Sequence, residues 1–155
     1  MASSSPLDED GVRRDIRYYD WEAQDFEPLR ALLERWSQRD IECSTALIMR
    51  DEEGLRVAAG LDLRDGYQLH CAIRRGVGDL DRVQVRKRPM LCFGDGDRQR
   101  QVIGLIRDLG SADAYELADA YEERYGVQPA TFRGSFLKDM QAYESNGVYR
   151  YVDAG

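Results

Sequence analysis

Lysine is nearly missing from this chain: of 22 basic residues only Lys87 and Lys138 are lysine, and the rest are arginine. There is a single histidine, His70, so acid–base schemes that need two imidazoles have no second member. Three cysteines (Cys43, Cys71, Cys92) are too few and too widely spaced for a disulfide framework or a Cys-x2-Cys metal knuckle. They read as free buried thiols in a reducing, cytoplasmic setting. No apolar run approaches the ~20 residues a membrane span needs, so no membrane partner is expected. Positive charge is also in deficit, with a net charge of −7, which argues against bulk non-specific binding of phosphate.

Against these absences, 155 residues at 43% hydrophobic and 33% charged are ordinary for a globular protein with one domain or two small ones. The acid excess is uneven. Residues 41–94 hold nine basic groups against eight acidic ones, whereas the stretches on either side are each more acidic than basic by four.

Residues 1–11 are Ser-rich, then acidic, and read as a disordered leader. Phe26, Leu29, Leu32, Leu33 and Trp36 recur at helical spacing, with Asp25 as cap and Pro28 in the first turn. From 42 to 93 the apolar period looks like two. Leu55, Val57, Ala59, Leu61 and Leu63 alternate with other residues, as do Tyr67, Leu69, Cys71 and Ile73. Asp51-Glu52-Glu53-Gly54 and Asp65-Gly66 read as hairpin turns between strands Thr45–Arg50, Leu55–Arg64 and Tyr67–Arg74. Residues 12–93 are thus expected to be a helix packed on an antiparallel β-meander, with further strands at Arg82–Arg88 and Met90–Phe93.

Gly94-Asp95-Gly96-Asp97 marks a boundary. Beyond it, Val102, Ile103, Leu105, Ile106 and Leu109 form one helical face. Ala114, Leu117, Ala118, Tyr121 and Tyr125 form a second, capped by Ser111 and stopped at Gly126. Pro129 opens a third helix with Phe132, Phe136, Leu137, Met140 and Tyr143 inward, and Asn146-Gly147 turns into the strand Val148–Val152. The expected fold class is therefore α+β, with a three-helix module over 97–152. No internal repeat is evident.

The run YELADAYEERYGVQPATFRGSFLKDM, followed by NGVYRYV, resembles winged helix-turn-helix domains of the HARE and LOTUS type. The resemblance covers about 97–152 and implies a docking module whose third helix and terminal strand carry the contacts. The outward positions it implicates are Gln128, Thr131, Arg133, Lys138, Gln141 and Arg150. A separate charge signal is Arg82-Val83-Gln84-Val85-Arg86-Lys87-Arg88. On a strand, Arg82, Gln84, Arg86 and Arg88 share one face, a basic patch for phosphate or an acidic partner, or else the charged guard of an edge strand.

Other constellations fail on spacing. His70 and Cys71 are neighbours on the expected strand and point to opposite faces, leaving His70 on the polar side and no nucleophile pair. Asp95 and Asp97 lack the further oxygen ligands of a calcium loop and read as caps. Gly76-Val77-Gly78 is not a dinucleotide fingerprint. No catalytic residues, metal or cofactor are expected. The sequence reads first as a non-enzymatic adaptor or regulator in a nucleic-acid-handling assembly, with a protein as its main partner and nucleic acid as the other. A second reading is a small acidic inhibitor of a nucleic-acid-binding enzyme, from the acids Asp8, Glu9, Asp10, Asp113, Glu116, Asp119, Glu122 and Glu123. A third is a sequence-specific DNA-binding regulator.

Overall fold

A computed structural model describes residues 19–152; the leader expected at 1–11 lies outside the described residues. The protein is α+β, with two small antiparallel sheets of three strands each. Helix α1 (Glu27–Trp36) forms where expected and buries Leu29, Leu32, Leu33 and Trp36. Asp25 accepts the Glu27 N–H at 3.1 Å just before it.

The meander is not present. Thr45–Arg50 is helix α2, Glu52–Gly60 is helix α3, and Gly66–Gly76 is helix α4. The acidic turns read as hairpins are helix caps. Asp51 accepts from Gly54 N and Asp65 from Gln68 N, the geometry by which a short carboxylate satisfies a first-turn donor. Once capped, these segments follow a different period. Leu69, Ala72 and Ile73 are fully buried at i, i+3 and i+4, and Gly54 and Ala58 at i and i+4, while Leu55 stays 52% exposed. Gly54 is needed because a Cβ there would collide with the Ile48 carbonyl, where α2 turns into α3.

The strands of this first unit lie outside those helices: β1 (Ile41–Ser44), β2 (Val83–Val85) and β3 (Met90–Phe93). The sheet order is β1-β3-β2, with Cys43 opposite Leu91 and Gln84 opposite Cys92. Helix and sheet share one core, in which Trp36 meets Phe93 at 5.7 Å between ring centroids.

The second unit begins with α5 (Arg98–Leu109), capped by Asp97, and ends that helix at Gly110 with φ +82°. Ser111–Asp113 is a short strand, β4, and the cap of α6 (Ala114–Tyr125) is Asp113, in a reciprocal capping box with Glu116; Ser111 is two residues too early. Gly126, at φ +76°, stops α6 in the left-handed conformation, as expected. The third helix is shorter than its apolar spacing suggests. Pro129–Thr131 (α7) runs into a wide π turn at Phe132–Phe136 and then a 3-10 segment, Lys138–Tyr143, broken at Met140. Strands β5 (Glu144–Ser145) and β6 (Val148–Arg150) close a sheet of order β4-β6-β5, so the last strand ends two residues before Val152. Tyr121 is the centre of this core, touching Phe132 at 4.8 Å and Phe136 at 5.6 Å between centroids.

The two units share one connectivity. Each runs helix, strand, helices, hairpin, and each sheet places its last strand between the other two. Gln101 of α5 joins them. Its side chain accepts from Glu42 N at 2.8 Å and donates to Glu42 O at 2.9 Å, so it binds the backbone of β1 as a one-residue strand would. Its Nε2 also lies 2.9 Å from the Tyr121 hydroxyl. Arg50 donates to the carbonyls of Glu122 and Glu123 at the end of α6. Gly126 approaches Leu47 so closely that a Cβ would lie 2.8 Å from its backbone nitrogen.

Candidate functional site

The hairpin β2–β3 carries the charge run and is tied to α4 by its backbone. Arg86 N donates to Met90 O at 3.0 Å, and Met90 N to Lys87 O at 2.8 Å, closing the turn. His70, on the inner side of α4, places Nε2 3.0 Å from Arg86 O and 3.1 Å from Met90 O. Two carbonyl acceptors require that nitrogen to carry the proton. This imidazole is 1% exposed, so the solvent-facing position expected from a strand is replaced by a buried structural one. Burial holds its pKa below the usual value, while the two carbonyls oppose the shift and Arg74 and Arg88 add to it. Arg74 also donates to Arg86 O, at 3.2 Å.

The expected one-faced row of Arg82, Gln84, Arg86 and Arg88 is divided. Arg82 has φ +61° and turns away to Asp40, at 2.9 Å, and to the Ser37 carbonyl, so it braces the sheet. Arg86, Lys87 and Arg88 are exposed on the hairpin. Seven arginines, Arg30, Arg35, Arg56, Arg82, Arg100, Arg107 and Arg124, lie within ion-pair distance of a carboxylate, whereas Arg39, Arg50, Arg74, Arg75, Arg98, Arg133 and Arg150 are single cations without one among the described residues. Among the described residues, Arg86, Lys87 and Arg88 make no ion pair.

The turn of this hairpin forms one wall of a cleft of about 490 Å³ between the two units. Lys87, Arg88 and Pro89 meet the first turn of α4, Gly66 and Tyr67, on the first unit's side. Gln128 and Thr131, both implicated by the resemblance, stand on the second unit's side with Ser135 and Phe136. Arg98, which opens α5, reaches the cleft with its guanidinium 4.5 Å above the Phe136 ring. Among the described residues Asp65 is the one acid in the lining, and it caps α4. Neither Arg98 nor Tyr67 carries a site signal in the sequence: the first is an ordinary helix-opening arginine, and the alternating apolar pattern puts the second on a strand.

The remaining implicated residues lie elsewhere. Arg133 covers the Tyr115 ring at 4.5 Å, and Lys138, Gln141 and Arg150 are exposed away from the cleft. Cys43 is buried in the first core, and desolvation pushes its thiol up to about 12, which makes it inert as a nucleophile near neutrality. Cys92 donates to Gly96 O at 3.2 Å. Among the described residues no three of His, Cys, Asp and Glu are grouped to hold a metal ion, and no helix is long and apolar enough to cross a membrane. No family model, curated protein or solved structure matches the chain.

Proposed function

We propose that this protein is a non-enzymatic adaptor built from two winged-helix-like units, and that its first unit binds nucleic acid. The observation that carries this reading is the set Arg86, Lys87 and Arg88, three consecutive exposed cations without ion pairs on a hairpin beside α4. In winged-helix proteins the third helix meets bases and the hairpin meets the backbone. On this reading α4, the fourth helix of the first unit but the last before its hairpin, and β2–β3 stand for those parts, as α7 and β5–β6 do in the second unit. Of the two faces expected from the sequence, the third helix of the last third and the Arg82–Arg88 run, this reading favours the second for nucleic acid. The second unit keeps the acidic charge and a different kind of surface, suited to a protein partner: Leu109, Tyr115 and Tyr151 are exposed large side chains, and Tyr115 lies under Arg133.

The test is fluorescence anisotropy with labelled oligonucleotides over a salt series. Arg86→Glu with Lys87→Glu and Arg88→Glu is expected to abolish binding. Single replacement of a phosphate-contacting cation by Gln is expected to reduce the salt slope by roughly 0.7–0.9. Unchanged affinity in the triple variant rejects the reading. For the second unit, a partner retained from lysate after nuclease treatment and lost on Tyr115→Ala supports the adaptor; loss of every partner with nuclease leaves a plain nucleic-acid binder.

A further inference from the structure

We infer that the cleft between the two units is a seat for a single nucleic-acid strand, taking one unpaired nucleotide at a time. This rests on the nucleic-acid reading above and names the form of the ligand.

Access favours an unpaired strand. In a duplex reader the N-terminal residues of the third helix reach base edges in the major groove. Here that end of α4, Gly66 and Tyr67, looks across the cleft at Gln128 and Thr131 of the second unit. A duplex brought to this end of α4 meets the second unit as well, since Gln128 and Thr131 line the opposite wall. An unpaired nucleotide can enter, and a volume of about 490 Å³ is within the ordinary range of small-molecule sites, roughly 300–1,000 Å³.

The chemistry of the lining favours it too. Single strands are gripped by a cationic track for phosphates and flat groups for bases. Lys87 and Arg88 on one wall and Arg98 on the other supply the charge, facing one carboxylate already engaged as a helix cap. Tyr67, 41% exposed on the rim, supplies an aromatic face, and the Arg98 guanidinium over Phe136 supplies a second planar surface. The Gln128 amide can both donate to and accept from a base edge.

The cleft is also preformed. Its floor is internally satisfied, with Thr45 Oγ1 donating to Gly66 O at 2.7 Å and Ser44 Oγ accepting from Ala46 N. Its walls are fixed by the Gln101–Glu42 pair and by Arg50 on the end of α6. Binding therefore does not have to pay for assembling the site.

The experiment compares 12-nucleotide single strands of DNA and RNA with the corresponding blunt duplex, by anisotropy on the full chain at fixed salt. At least one single strand is expected to bind about tenfold tighter than the duplex, the scale of one well-stacked base. Thr131→Trp, at an exposed position on the cleft wall, fills the space; it is expected to weaken single-strand binding by about tenfold and to leave duplex binding unchanged. Circular dichroism checks that the variant folds, and Gln128→Trp, also exposed, serves as a second filling variant. Duplex binding as tight as single-strand binding overturns the inference, and so does indifference of both Trp variants. Those results with the charge variant still defective leave the nucleic-acid reading standing; absence of binding to every oligonucleotide removes both.

Discussion

His70 anchors the hairpin by donating one proton to two carbonyls, a role that only the neutral ring fills without cost in a buried place. Its folded pKa is lowered, so the unfolded chain binds a proton before the folded one does. Stability from this residue is therefore complete above pH ~6.5 and drains away as the pH falls below that value towards the folded pKa. The urea midpoint is expected to drop between pH 7.5 and pH 5.5, and His70→Gln, which retains an amide donor, is expected to reduce that drop. An identical drop in the variant would assign it to other groups. At neutral pH, His70→Ala should cost about 1–3 kcal/mol, since it removes a buried side chain together with its hydrogen bonds to the Arg86 and Met90 carbonyls. Gly54 is the other residue-scale constraint. With the Ile48 carbonyl against its Cα, Gly54→Ala is expected to cost roughly 1–3 kcal/mol through overpacking, read as a lower urea midpoint.

Capping separates what could be read from the sequence at the level of elements from what could not. Helices α5 and α6 were legible because their apolar residues recur at an unambiguous helical period and Gly110 and Gly126 stop them. Helices α3 and α4 were misread because short helices rich in alternating apolar residues satisfy a period of two almost as well. Their Asp51 and Asp65 signals also serve equally for a turn and for a cap. The choice is made by tertiary packing: Leu69, Ala72 and Ile73 all point into the core on a helix and could not do so on a strand. The same misreading hid the site, since Tyr67 at the start of a helix is placed at the cleft, while Tyr67 on a strand is not. Of the residues proposed from sequence, Lys87, Arg88, Gln128 and Thr131 come together across that cleft, although the first two were chosen for charge and the others from a resemblance. The element-scale prediction concerns α6. Asp113→Ala removes one half of its capping box and is expected to cost about 1 kcal/mol. No change in the urea midpoint would mean that the cap is replaced by solvent.

At the scale of the molecule, two units of like connectivity become one through an unusual junction. Strand β1 pairs with β3 on one side, and on its other side the Gln101 side chain takes both the N–H and the C=O of Glu42. A lone amide thus closes an edge that would otherwise be an unpaired template. The same amide reaches the Tyr121 hydroxyl at the centre of the second core, where burial raises the phenol's pKa and keeps it protonated. Gln101→Ala leaves the Glu42 groups and the phenol short of partners, and is expected to cost about 2–3 kcal/mol on the scale of unmade buried hydrogen bonds. Its signature should be local. The Glu42 amide is expected to exchange its hydrogen faster, and the unfolding transition to broaden or split as the units lose their coupling. On the proposed reading single-strand binding falls along with this, because the cleft walls belong to different units, while the contribution proposed for Arg86 is kept. If Glu42 exchange and cooperativity are unaltered in the variant, Gln101 is not the joint, and the units are held instead by Arg50 on α6 and by the close packing of Gly126 on Leu47.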